Sequence, residues 1–392
     1  MIPRRMKRTA RTFLCFASLV TVARAGAQTQ SQEAEPSPSQ DHPLLKLDLR
    51  RYGFKPYMSG RRDILSLNFT DDSHLVFAWT TLDYPHADKR KGPRDPVPSH
   101  LHALVVDARS GQKQNIREWP STSYFASIHP VGRGRFLACT GSAVHLLSSE
   151  FEVIRELSFT DPHACANPKF SPSGRSFFIA DGPGLDSQGT LMDSETLAPL
   201  AGSTAEGRIL TFTDTLLVGT CGPNLEPCIR KLDQTWEPFD LAGPGHQIKD
   251  SRQRRFFFVN DSMLLVGTAR EMAVLTLEGT ILFRVNLPNK LFVGTQVTST
   301  GGERFCILEM KLRGLRSEPL DMYPIASDDQ LVVYSVSERR AIYTLKVKGM
   351  SPWPTWRQHE HSNVLALSPD GSLLALVDDG ILKVYQLPAA KL

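Results

Sequence analysis

Apolar and polar positions alternate in short runs from residue 44 to the C-terminus. No stretch carries the 3.6-residue apolar stripe of an amphipathic helix. The runs are rich in Val, Ile, Leu, Phe and Thr and are separated by Gly, Pro, Asp and Ser, the pattern of strands joined by turns. The last segment is the clearest. Asn363-Val-Leu-Ala-Leu-Ser-Pro-Asp-Gly-Ser-Leu-Leu-Ala-Leu-Val-Asp-Asp-Gly-Ile-Leu-Lys-Val-Tyr-Gln-Leu387 predicts strand, tight turn, strand, turn, strand. In Ser368-Pro-Asp-Gly371 the proline presets one backbone angle and the glycine accepts a positive one. The same device stands at Phe170-Ser-Pro-Ser-Gly174, and a weaker form follows Asn68.

The runs group into units at about 61–119, 122–159, 163–201, 207–242, 246–288, 291–348 and 359–387. Leu367-Ser-Pro-Asp-Gly-Ser-Leu-Leu-Ala375 and Phe170-Ser-Pro-Ser-Gly174 resemble the repeats of WD40-like and YVTN-type β-propellers, although the Gly-His and Trp-Asp pairs of true WD40 repeats are absent. The resemblance implies an all-β, seven-bladed propeller forming a single domain over 42–392, with six or eight blades also compatible with the unit boundaries. Two β-sandwich domains are the alternative. The last unit supplies only three strands. Leu45, Leu47 and Leu49 alternate in His42–Arg50, so this N-terminal strand is expected to complete the last blade and close the ring.

Composition narrows the class. The chain has 392 residues, 41% apolar and 22% charged, which excludes a collagen, a disulfide-dense miniprotein and a polytopic membrane protein. Arg4, Arg5, Lys7, Arg8 and Arg11 precede the short apolar run Phe13–Val20 and the small residues Ala23-Arg-Ala-Gly-Ala27. A basic region, an apolar run too short to span a bilayer and an A-x-A site read as a secretory signal peptide over 1–27. Cleavage is expected after Ala27, or alternatively after Ala25, and Met6 is an alternative start. Residues 28–41 lack aromatic and branched apolar side chains and read as a disordered linker. The whole chain carries 45 basic and 41 acidic residues, but the signal holds six of the basic ones and no acid. The mature chain is therefore nearly neutral, which argues against a nucleic-acid partner. It is expected to be periplasmic or secreted, monomeric and without a transmembrane span.

An oxidising compartment permits disulfides among the five mature cysteines. Cys221 and Cys228 flank a turn between two strand-like runs; a cross-strand disulfide and a pair of half-buried thiols are both open readings. Cys139 and Cys165 lie in neighbouring units and can pair, and Cys306 reads as a core strand residue.

No G-x-S-x-G, H-E-x-x-H, Walker A or C-x-x-C motif is present, so no catalytic residue, metal or cofactor is assigned. His359 and His361 share a strand face, as do His100 and His102, but neither pair shows a third ligand in the sequence. Both read as solvated polar connections. Asp71-Asp72, Asp328-Asp329 and Asp378-Asp379 read as turn formers between strands.

Loop lengths point to a place. Residues 81–100, 311–328 and 349–361 are long connections in units 1, 6 and 6-to-7, and in a closed ring they open on one face of adjacent blades. They offer Tyr84, Lys89, Arg90, Lys91, Arg94, Arg313, Arg316, Tyr323, Trp353, Trp356 and Arg357 as candidate binding residues. Aromatic faces beside Arg suit a protein, peptide or glycan. The leading expectation is a binding module. The alternative is a hydrolase or lyase with a site in the central channel, for which His102, His129, His163, His246 and His361 are the candidate contributors.

Overall fold

The computed structural model describes residues 42–54, 64–81, 99–121, 126–160, 165, 168–180, 189–200, 208–221, 226–232, 235, 237–238, 255–267, 271–287, 291–318, 321–347, 365–378 and 380–389. For the strand segments 291–296, 310–318 and 321–329 the backbone alone is described. The signal and linker expectations, residues 1–41, lie outside this set.

Seven antiparallel sheets follow one another along the chain. Blade 1 holds β2 (Ile64–Phe69), β3 (His74–Thr81), β4 (Ser99–Asp107) and β5 (Lys113–Ser121). Blade 2 holds β6 (Ser127–Pro130), β7 (Phe136–Cys139), β8 (Ala143–Leu147) and β9 (Val153–Ser158). Blade 3 has three strands among the described residues, β10 (Lys169–Phe170), β11 (Ser176–Ala180) and β12 (Gly189–Asp193). Blade 4 holds β13 (Arg208–Phe212), β14 (Leu216–Cys221), β15 (Glu226–Lys231) and β16 (Glu237–Pro238). Blade 5 holds β17 (Arg255–Asn260), β18 (Met263–Gly267), β19 (Glu271–Thr276) and β20 (Ile281–Asn286). Blade 6 holds β21 (Leu291–Thr298), β22 (Arg304–Glu318), β23 (Asp321–Ser335) and β24 (Arg340–Val347).

Blade 7 is assembled from both ends of the domain. Its sheet order is β1 (Leu45–Asp48), β27 (Ile381–Gln386), β26 (Leu373–Asp378) and β25 (Leu365–Leu367). β1 pairs antiparallel with β27, Leu45 opposite Val384 and Leu47 opposite Leu382. Leu49 follows in a single 3-10 turn and is fully buried. The expected N-terminal closing strand is therefore in place.

Each apolar cluster joins two successive sheets, because a blade must cover both faces. In β26, Leu374 and Leu376 pack toward blade 6 with Leu331 and Val333, while Leu373, Ala375 and Val377 pack toward blade 1 with Leu75 and Phe77. Such a strand reads as a continuous apolar run. The outermost β9 is exposed along most of its length and reads as mixed. An open row of seven sheets would have six interfaces; here there are seven apolar clusters between successive sheets, the last joining blade 7 to blade 1. The fold is a closed seven-bladed β-propeller.

The turn between the first two strands of a blade repeats more widely than the Ser-Pro-x-Gly pattern. Gly371 N–H donates to the Ser368 carbonyl at 2.8 Å, and Leu373 N–H donates to Ser368 Oγ at 2.9 Å. Ser171 and Ser299 do the same work in blades 3 and 6, receiving Gly174 N–H and Gly302 N–H, each at 2.9 Å. Gly174, Gly302 and Gly371 all have φ near +70°, which only glycine adopts without strain. Ser299-Thr-Gly-Gly302 was not legible as the same device because it lacks the proline.

Candidate functional site

Antiparallel strands place the connection between the second and third strands, and the passage to the next blade, at one end of every blade. The ends of β3 and β4, of β22 and β23, and of β24 and β25 therefore open on the same face, in blades 1, 6 and 7, which adjoin around the ring. Tyr84, Lys89, Arg90, Lys91 and Arg94, and Trp353, Trp356 and Arg357, lie outside the described residues.

The segment 311–328 differs from its expectation as a loop. β22 and β23 continue through it as a two-stranded ribbon, paired from Arg304 opposite Ser335 to Glu318 opposite Asp321. Their flanking strands stop earlier, at Leu291 opposite Lys311 and Val347 opposite Asp329. The ribbon beyond is about 20 Å long at roughly 3.4 Å per residue. Arg316 and Tyr323 are direct cross-strand partners in it, and Arg313 falls in a register shift between Leu312 and Gly314. Asp328 and Asp329 belong to β23 rather than to a turn. Their pattern misled because Asp is a common turn former and the alternation of apolar positions is weak there.

At the base of this face, polar clusters sit at the end of several apolar interfaces. In blade 1, His102 stacks on Trp79 with ring centroids 5.0 Å apart. Its Nε2 lies 3.2 Å from Thr81 Oγ1 and its Nδ1 3.3 Å from Glu118 Oε2. Blade 2 repeats the arrangement: His145 Nε2 lies 3.2 Å from Thr140 Oγ1, and Nδ1 lies 3.4 Å from Glu156 Oε2. In both blades the His and Glu are cross-strand partners. The sequence carried a signal, since Ile116-Arg-Glu118 recurs as Ile154-Arg-Glu156. Burial lowers the His145 pKa, and Glu156 opposes the shift.

Blade 5 pairs Glu271 with Arg284 at 3.0 Å. Blade 7 pairs Asp378 with Lys383. In blade 6 the buried Glu309 carboxylate receives Gln330 Nε2 at 2.7 Å and the Tyr334 hydroxyl at 3.2 Å. Burial, and then the Glu309 charge, push the Tyr334 pKa up. These pairs tie neighbouring strands together at the end of each blade where the second strand passes into the third.

On the innermost strands, side chains bridge successive blades. Asn68 Nδ2 donates to the Ile128 carbonyl at 3.1 Å, and Lys169 Nζ donates to the Ile209 carbonyl at 3.4 Å. Each satisfies the free edge of the next blade's inner strand. His129 lies on inner strand β6, stacked on Phe170 with centroids 4.1 Å apart. His102 lies on a third strand, away from the innermost layer. His163, His246, His359 and His361 lie outside the described residues.

Cys139 and Cys165 form a disulfide, with Cα atoms 5.6 Å apart, tying β7 to the passage into blade 3. Cys306 is a buried free thiol on β22. Cys228 is disulfide-bonded. The register sets Cys221 opposite Glu226 and Cys228 opposite Gly219, so the two cysteines are diagonal neighbours on one sheet face.

No family model matches the chain, and no curated protein does. Among solved structures it is similar to the C-terminal WD40 domain of Sif2, at 13% identity and TM-score 0.43, covering 89% of this chain and 98% of that one. It is also similar to the Neurospora crassa Pan2 WD40 domain, at 10% identity and TM-score 0.40, covering 91% and 99%. TolB from Acinetobacter baumannii matches at 10% identity and TM-score 0.39, covering 75% and 78%. By its own seven sheets and their closed sequence of interfaces, the chain is a seven-bladed β-propeller.

Proposed function

We propose that the chain is an exported β-propeller that binds a protein, peptide or glycan through the sector of blades 6, 7 and 1. The observation that carries this reading is that the strand ends flanking the three long connections lie on one face of three adjacent blades, and that one pair of strands continues beyond its sheet as a ribbon. Rigid blades holding long connections are the usual setting for binding residues. Tyr84, Arg90, Arg316, Tyr323, Trp353 and Trp356 are the proposed contacts. The signal-like residues 1–27 support export, and a disulfide between Cys139 and Cys165 fits an oxidising compartment. We propose a second disulfide between Cys221 and Cys228. Among the described residues no helix is long and apolar enough to cross a membrane. The proposed mature protein is a monomer.

The test is cross-linking of the mature protein to envelope extract, with peptide and glycan arrays in parallel. Replacing Arg90, Trp353 and Trp356 with Ala should abolish the captured signal while thermal unfolding stays unchanged. Undiminished capture by this variant would overturn the sector.

A further inference from the structure

Blade 1 and blade 2 share the Thr–His–Glu arrangement, but blade 1 has Trp79 opposite the histidine where blade 2 has Ala138, and it carries a second histidine. Two positions before the histidine, blade 1 has His100 and blade 2 has Ala143. His100 and His102 lie on the same face of β4, because side chains two apart on a strand point the same way. Their register partners on β5 are Pro120 and Glu118. The third group that the sequence alone did not show is thus Glu118, which reaches both rings: Oε2 lies 3.3 Å from His102 Nδ1 and Oε1 lies 3.7 Å from His100 Nε2.

We propose that His100, His102 and Glu118 form a binding site for a divalent transition-metal ion of the zinc class. Two imidazoles and one carboxylate make a ligand set that suits zinc and leaves a fourth position open. The separations of 3.3 and 3.7 Å are longer than a charge-assisted hydrogen bond and close to the distance between two ligands about 2.1 Å from one tetrahedral ion. The His102 ring is already set for ligation. Trp79 fixes its plane, and with Nδ1 on the metal, Nε2 carries the proton and donates to Thr81 Oγ1. An outer hydrogen bond of this kind orients metal-bound histidines generally.

As placed, the three side chains do not converge on one point, and no group of three ligands among the described residues does. The two ring centroids are 6.5 Å apart. His100 is about half exposed, as is Glu118, so the proposal requires the His100 ring to turn about its side-chain bonds toward Glu118 when the ion binds. The site lies where β3 and β4 open toward the proposed binding sector, yet it does not rest on that function.

The experiment uses the mature protein purified without a polyhistidine tag and stripped with a chelator. Cobalt(II) is titrated with visible absorption as the readout, and zinc is then added in competition. One equivalent should bind with the intense bands of tetrahedral cobalt and be displaced by zinc. His100→Ala, whose side chain is exposed, should keep the fold and weaken binding by at least about 10–100-fold, the loss that removing an outer partner alone causes. Thr81→Val should weaken it within that range. His145→Ala in blade 2 should leave affinity unchanged. Absence of binding, binding unaltered by His100→Ala, or equal loss in His145→Ala would overturn the site.

Discussion

Arg304 of blade 6 donates through Nη1 to the carbonyl oxygen of Gly371 in blade 7, 2.7 Å away. Nη2 of the same guanidinium donates to the Pro388 carbonyl, also at 2.7 Å. The residue is only 4% exposed, and burial lowers its pKa against the pull of Glu338, Asp370 and Glu303. A charged donor therefore holds the first turn of blade 7 and the C-terminal segment to the preceding blade. Arg304→Met keeps the volume and removes the donors. It should cost about 1.5–3 kcal/mol, the range for hydrogen bonds to charged groups. Urea unfolding measures this, and a midpoint equal to wild type would refute the clamp.

Closure through β1 gives a second expectation. Deleting residues 42–50 removes a strand and the buried Leu49, and should lower the unfolding temperature steeply. Leu49→Ala is the milder version, expected to cost about 2–5 kcal/mol. If the deletion leaves the unfolding temperature unchanged, blade 7 does not depend on β1.

The pH dependence of stability follows from His129. Burial takes its pKa from 6.5 down to about 4. The folded state thus disfavours the imidazolium, and the unfolded chain takes up the proton first. Stability is full above pH 6.5, falls between 6.5 and about 4, and levels off below. The loss amounts to about 3 kcal/mol at most. His129→Gln should flatten this part of the profile; an unaltered slope would assign it to other groups.

Thiol counting addresses the cysteines. The Cys139–Cys165 bridge spans 26 residues, and its removal by paired Cys→Ser changes should cost about 2–4 kcal/mol in chemical unfolding. Denatured, unreduced mature protein should take up a single alkylating group, at Cys306. Three groups would exclude the proposed Cys221–Cys228 bridge.

Several features were legible because they depend on neighbours in the chain. Ser368-Pro-Asp-Gly371 marked a turn, the apolar run of β26 marked a strand, and Leu45, Leu47 and Leu49 marked the closing strand. The ribbon of blade 6 was not, since Gly314, Pro319 and Pro324 read as loop and the pairing of Arg316 with Tyr323 arises only once β22 and β23 continue past their neighbours.

The sequence by itself determined the all-β class and the grouping of strands into about seven units, because alternation and turn residues are local properties. Only the tertiary structure decided what meets across strands. The alignment of β4 with β5 sets Glu118 beside His100 and His102 although at least sixteen residues separate them in sequence, and ring closure sets Arg304 on Gly371. Register and closure follow from burying both faces of every blade at once, a condition that no single unit contains.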